Sequence, residues 1–308
     1  MTALSEPTGI ESDPGLTSFS LLMAVYAGDR PDFLRRAFVS SVQEQRRRPA
    51  EVVLVQDGPI PHDLARCLDQ LAATSPVPVL RLELPDNLGL ARALEAGLAR
   101  CSHDVVARMD ADDISLPDRF AVQLPEIDAG ADLVGTALLE IGDGEHDVVG
   151  LRVPPTDPEV IARTARLHDP FNHPTVVYRR SAVAAAGGYE HLPLMEDYWL
   201  FAKMIASGAR MVNRPEPLLM YRVGAGAYAR RGGTALLRAE IALQGRFLSS
   251  GFISRREYLR NVVMRGGYRL VPAVVRRPAY RLLVATRGSR LDAAATDTPA
   301  SPRVPEAG

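Results

Sequence analysis

Lysine is nearly missing from this sequence: of its 36 basic residues, Lys203 alone is not arginine. The bias is first a matter of composition, and only second a demand for the forked, bidentate anion contacts that arginine makes. The two signs almost cancel, with a net charge of -1, so bulk charge gives no reason to expect a nucleic-acid partner. Cysteine is scarce as well. Cys67 and Cys101 form no CxxC pair and show no ligand spacing, so neither a disulfide framework nor a zinc site is expected, and a reducing cytoplasm is the simple reading. No apolar run reaches the ~18–20 residues of a membrane span. Residues 1–17 lack the basic start and apolar stretch of a signal peptide. A GxGxxG turn after the first strand is also missing, which disfavours a Rossmann dehydrogenase.

What is present is alternation. Hydrophobic residues make up 46% of the 308 positions and charged residues 24%, enough for a globular chain with a real core. Residues 18–26 form a continuous apolar run that reads as a buried strand. Pro31 then stands at a helix start, followed by Phe33, Leu34, Ala37, Phe38 and Val42 at helical spacing. Strands are predicted at 52–55, 77–84 and 104–109. Helices between them are marked by Leu64, Leu68 and Leu71, and by Leu90, Leu94 and Leu98. This order predicts an α/β fold with a mostly parallel sheet and helices on both faces. Ligands of such sheets bind beyond the carboxyl ends of the strands. Those ends carry Ala27 to Asp29, Gln56 to Gly58, Pro85 to Gly89, and Asp110 to Asp113.

Past residue 130 the pattern loosens. Residues 132–141 and 147–153 alternate like an antiparallel pair around a Gly/Asp-rich turn at 142–146. Helices are expected at 158–167, 196–207 and 234–248, and strands at 174–178 and 218–223. Residues 1–17 and 291–308 read as disordered tails. Ten arginines and one acid, Glu257, fall within 254–290 among scattered apolar residues. That segment reads either as a solvated helix pair closing the fold, as a basic amphipathic surface for an anionic membrane, or as an oligomer contact.

Three acidic motifs carry chemistry. Met109-Asp110-Ala111-Asp112-Asp113 places three carboxylates within four positions after an apolar strand, where they repel unless a cation or solvent offsets them. Mg2+ and Mn2+ take one or two such carboxylates and complete their shells with phosphate oxygens and water. The competing reading is a helix N-cap by Asp112 or Asp113. Gln56-Asp57-Gly58 is either a strand-end acid able to hydrogen-bond a nucleotide or a plain Asp-Gly turn. Met195-Glu196-Asp197 opens a helix, so Glu196 or Asp197 is either a general base or a helix-stabilising charge.

Together these residues resemble family 2 glycosyltransferases of the GT-A fold. The likeness runs through Ser20-Leu21-Leu22-Met23-Ala24-Val25-Tyr26, Gln56-Asp57-Gly58, Asn87-Leu88-Gly89-Leu90-Ala91 and Ala107-Arg108-Met109-Asp110-Ala111-Asp112-Asp113. It continues through Pro170-Phe171-Asn172-His173-Pro174-Thr175, Gly187-Gly188-Tyr189 and Glu196-Asp197-Tyr198, about residues 18–225 in all. Bacterial exopolysaccharide enzymes of the amylovoran-biosynthesis type are the nearest likeness.

The resemblance implies a glycosyltransferase domain over 18–230 with an Arg-rich helical extension over 231–290. It implies transfer, with inversion, from a nucleotide-diphosphate sugar (UDP by default) to a hydroxyl on a sugar, a lipid-linked molecule or another acceptor. It also implies an enzyme that is either free in the cytoplasm or peripheral on the membrane's inner face. Asp57 would contact the base, Asp110 the ribose and diphosphate, and Asp112 with Asp110 the Mn2+ or Mg2+. Tyr26, Ala27 and Asn87 fall in the nucleotide-sugar loops, and Asp197 would be the catalytic base. His173 falls near the donor–acceptor pocket, and Trp199 is a sugar platform or a core residue. Gln244-Gly245-Arg246-Phe247 does not satisfy the QxxRW motif of processive members, so single addition is expected. A sugar nucleotidyltransferase and a non-catalytic binding protein on the same fold are the rival classes.

Overall fold

The computed structural model of the protein describes residues 17–223 and 234–270. The expected tails and residues 271–290 of the basic segment therefore lie outside the described residues, apart from Thr17. The chain starts as anticipated, with β1 (Phe19–Tyr26), α1 (Pro31–Val42), β2 (Glu51–Asp57), α2 (His62–Thr74), β3 (Val79–Leu84), α3 (Leu90–Leu98) and β4 (Val105–Met109). These four strands are parallel, in the order β3-β2-β1-β4. Pro31 occupies the first turn of α1, where its missing N–H costs nothing.

Beyond β4 the sheet changes direction. β8 (Val177–Arg179) joins β4 antiparallel, then β6 (Leu133–Ile141) and β9 (Met211–Arg222) follow, and the short β5 (Ile114–Ser115) closes that end. β7 (Val148–Arg152) pairs antiparallel with β6, as the 142–146 turn predicts. It leaves Val148, Val149 and Leu151 exposed, with Val153 just beyond it.

Alternation along the central strands divides the core. Leu21, Met23, Val52 and Leu54 pack against α1, α2 and α4 (Arg119–Asp128). Leu22, Val53, Val55 and Val106 face the other way, toward α3, α6 (Arg180–Ala185) and α7 (Glu196–Ala206). α5 (Pro158–Thr164) adds Ile161 to that second layer. A third cluster joins α7 to α8 (Thr234–Ser249) and α9 (Arg255–Leu270) through Tyr198, Trp199, Leu243 and Phe247.

Two expectations are corrected. Residues 174–178 are not one strand. His173–Thr175 is a 3-10 turn closed by Thr175 N–H donating to the Asn172 carbonyl at 2.9 Å, and only then does β8 begin. The last strand is longer than 218–223, because β9 starts at Met211. Pro215 and Pro217 hide it from a period-2 reading, and its pairing with β6 shifts register around Ala137, beside Pro217.

Two features fix the strand ends. Arg119 is fully buried without a carboxylate partner, yet every arm is used. Nη2 donates to the carbonyls of Arg108 (2.6 Å) and Pro174 (3.1 Å), Nη1 to Ser115 Oγ (2.9 Å), and Nε to Gln123 Oε1 (3.3 Å). Burial and the neighbouring Arg108 charge pull its pKa down to about 9, which still leaves it charged at neutral pH. This guanidinium therefore ties β4, β5 and the 3-10 turn together. At Gly58, φ is +82°, and a Cβ there would lie 2.5 Å from the Asn87 backbone nitrogen. Only glycine lets the 85–89 loop close on β2.

Arg119→Met removes every donor and leaves two buried carbonyls unpaired at ~1–3 kcal/mol each. Urea denaturation should show a stability loss of roughly 2–5 kcal/mol. Gly58→Ala adds a backbone clash to a strained conformation, and its denaturation curve should show a loss of about 1–3 kcal/mol.

Candidate active site

β4 carries a charged residue into the apolar sheet. Arg108 is buried to 2% exposure, and its Nη1 and Nη2 grip both oxygens of Asp110, with Nη1 to Oδ2 at 2.7 Å. Asp112 keeps contact with solvent, though the protein crowds its carboxylate on the remaining sides. Asp113 turns inward, where Oδ1 accepts the Arg222 N–H at 2.9 Å and Oδ2 is buried with no hydrogen-bond partner among the described residues. Oxygens of Asp110, Asp112 and Asp113 all lie within 4.8 Å of one another.

The crowding shows in their protonation. Burial and the Asp110 charge push Asp112 up to about 6 and raise Asp113 well above the carboxylate range. Asp29, from the loop after β1, is pushed up to about 7 by burial, offset by its bond from the Tyr26 N–H (2.9 Å) and reinforced by Asp112 and Asp110. An orphaned buried carboxylate oxygen beside two further hard oxygen donors fits a divalent Mg2+ or Mn2+. Neither Asp112 nor Asp113 caps α4, whose N-cap is Asp118, so the capping alternative fails.

Asp110 and the start of α7 border one cavity of about 380 Å³. Arg108, Asp110, Arg152, Asp169, His173, Glu196 and Asp197 all line this space. Asp197 Oδ1 accepts the Tyr198 N–H at 2.7 Å, and Oδ2 lies 3.6 Å from His173 Nδ1. His173 Nε2 bonds the Tyr189 hydroxyl at 2.8 Å, and burial with the Arg108 charge drives its pKa well down, so the ring is neutral near pH 7. Burial raises Asp197, against the bond from Tyr198 and the charge of Arg108, while Asp110 adds to the rise. Burial and Asp197 together push Glu196 up to about 7 and Asp169 well above its usual range.

The nucleotide-side candidates sit on the neighbouring strand ends and do not line this cavity. Asp57 is buried at the end of β2. Its Oδ1 and Oδ2 accept the Leu88 and Gly89 N–H groups at 2.7 and 2.9 Å, and Asn87 Nδ2 donates to its carbonyl at 3.3 Å. Asp57 thus holds the 85–89 loop, with lone pairs to spare for a ligand. Tyr26 and Ala27 are exposed, with the Tyr26 ring lying over Gly28.

Trp199 faces neither this cavity nor the strand ends. Its indole packs with Phe247 and Leu236 in the third cluster, between Lys203 and Arg246, because its position on α7 points it at the C-terminal helices. It is a core residue here, not a sugar platform.

Several groups escaped the sequence reading. Arg108 was visible as a cation inside an apolar strand, immediately before the acids. Asp169, Arg152 and the hub Arg119 gave no local signal, since each matters through contacts distant in sequence.

Comparison with known proteins identifies the family. The glycosyl transferase family 2 profile matches residues 20–186. A glycosyltransferase of uncharacterised activity from Haemophilus influenzae is 38% identical over 85% of this chain and 97% of its own length. The amylovoran biosynthesis glycosyltransferase AmsE of Erwinia amylovora is 36% identical over 85% and 97%. A UDP-Gal:alpha-D-GlcNAc-diphosphoundecaprenol beta-1,3-galactosyltransferase of Escherichia coli is 31% identical over 86% and 96%.

Among solved structures, S. aureus TarS 1-349 in complex with UDP superposes with a TM-score of 0.58 at 15% identity, covering 80% of this chain and 70% of that one. The mannosyltransferase PcManGT of Pyrobaculum calidifontis, in complex with GDP-Man and Mn2+, gives 0.57 at 17% identity, covering 96% and 80%. A sheet of this order, the matched profile and relatives aligned over nearly their whole length lead to one conclusion: the chain belongs to glycosyl transferase family 2 and is a glycosyltransferase of the GT-A fold.

Proposed function

We propose that this glycosyltransferase moves a sugar, with inversion, from a nucleotide-diphosphate sugar to the hydroxyl of a lipid-linked saccharide during bacterial polysaccharide assembly, adding one sugar per event. The observation that carries the reading is the shared cavity, which Asp110 and Asp197 both line. Two acids bordering one cavity suit a displacement in which one takes the acceptor's proton while the leaving group departs from the other face of the same carbon.

Asp197 accepts the proton of the attacking hydroxyl. The raised pKa of this carboxylate brings it nearer to the acceptor's proton than a solvated aspartate would be. The Arg108 charge and the α7 N-terminus favour its ionised form against the burial that opposes it. His173 stays neutral and fixed by Tyr189, so it orients the Asp197 carboxylate without competing for the proton. Asp57 holds the 85–89 loop in the shape that receives the base, and Tyr26, Ala27 and Asn87 border the same side.

Asp110 and Asp112 would hold Mn2+ or Mg2+, which supplies positive charge against the departing diphosphate. UDP is the favoured nucleotide, in keeping with the UDP-bound TarS and the UDP-Gal-using relative. The lipid-linked acceptor is supported by the diphosphoundecaprenol substrate in that relative's name. The polysaccharide role is supported by AmsE.

Asp197→Asn should lower kcat by about 10²–10⁴-fold, while the thermal shift produced by UDP with Mn2+ stays near the wild-type value; near-normal transfer would remove Asp197 from the role of base. Since burial raises the Asp197 pKa and the base works ionised, the acid limb of the kcat profile should fall above the ordinary aspartate value of ~3.9. A limb at or below that value counts against the assignment. Chelation by EDTA should abolish transfer, and Mn2+ or Mg2+ should restore it; full activity in chelator would dismiss the cation.

A further inference from the structure

The C-terminal helix pair presents a surface that the catalytic reading leaves unused. The inward face of α9 is polar and engaged. Asn261, fully buried, donates to the Arg166 carbonyl at 2.7 Å and to Gln244 Oε1 at 2.9 Å. Arg265 pairs with Glu240 at 2.7 Å and donates to the Leu167 carbonyl.

The outward face reverses the usual order of a surface helix. Leu259, Val263 and Met264 are 64%, 63% and 56% exposed, and the spacing of four puts Leu259 and Val263 on one face. Arg255, Arg256 and Arg260 are exposed beside them. The single acid of α9 is withdrawn from this face. Glu257 Oε2 accepts the Ser254 N–H (2.7 Å) and hydroxyl (2.8 Å), and Oε1 lies 3.5 Å from Arg166. What remains is an apolar ridge bordered by cations, on a chain whose overall charge is only -1.

We propose that this face of α9 lies on an anionic lipid bilayer, with Leu259, Val263 and Met264 entering the headgroup boundary and the flanking arginines meeting lipid phosphates. A ridge of this kind matches a planar interface, into which an amphipathic helix sinks its apolar side while cations border it. None of the described helices is long and apolar enough to cross a membrane, so the helix lies on the surface.

Position connects the docking to the site. Asn261 and Arg265 grip the carbonyls of Arg166 and Leu167, and Asp169, two residues further on, lines the cavity. Seating α9 brings that wall close to the bilayer. The docking stands on the helix alone; only its value for turnover rests on the lipid-linked acceptor proposed above.

The test is sedimentation of the full chain with vesicles of phosphatidylcholine alone or with about one third phosphatidylglycerol, without donor or acceptor. Binding to anionic vesicles should be at least about tenfold tighter than to neutral ones and should weaken with salt. The double variant Leu259→Glu, Val263→Glu should bind about tenfold or more weakly, while its thermal shift with UDP and Mn2+ stays equal to that of the wild-type chain. No preference for anionic vesicles, or unchanged binding by the double variant, overturns the proposal. So does a concentration-dependent dimer that the double variant abolishes, without vesicle binding, since the face would then belong to a second copy. If vesicles bind but no sugar transfer is found, the catalytic reading fails and the docking survives.

Discussion

One buried guanidinium sets the electrostatics of the cleft. Arg108 rises from the middle of the sheet with almost no solvent contact and grips Asp110 with both terminal nitrogens. A charge so placed is costly unless paired, and the pairing fixes where Asp110 points. The same charge reaches Asp112, Asp113, Asp197 and Glu196, lowering each against the burial that raises it, and it adds to the burial that keeps His173 neutral. Around this one cation the two walls of the cavity become electrostatically a single site. Asp29, Asp112 and Asp113 nonetheless outnumber the positive charge left to them, and their raised pKa values record that shortage.

Arg119 lies directly beneath and does for the backbone what Arg108 does for the acids. By donating to the Arg108 carbonyl, the Pro174 carbonyl and Ser115, it locks the end of β4 to the segment that carries His173. The acidic corner and the His173–Asp197 pair hold their spacing because two sequence-distant elements share one donor. Gly58 and Asp57 repeat the device at the next strand end. There an acid that reads in the sequence as a nucleotide contact spends two oxygens on holding the adjacent loop.

The first half of the fold was legible because each strand is short, apolar and followed by a helix of clear period. Legibility ended where that rule is broken. The first half of β9 hides behind Pro215 and Pro217, and the 3-10 turn at His173 borrows the appearance of a strand. Within the site, acids at strand ends could be read from position alone. The partners that tune them could not. Asp169 and Arg152 come to the cavity from sequence far from either motif, and their role exists only in three dimensions. Trp199 shows the converse: a residue beside a catalytic motif whose helix angle turns it toward Phe247.

The β6–β7 hairpin has a bearing on how the molecule behaves in concentrated solution. Among the described residues β7 pairs only with β6, so its other side has no strand neighbour and lies beside exposed Val148, Val149 and Leu151. Such a margin is a template for adhesion between molecules. Three traits blunt it. The strand is only five residues long, Pro154 and Pro155 stop its extension, and Arg152 turns its charge inward to Glu140. Colloidal stability at this margin therefore rests on brevity and proline rather than on a covering layer.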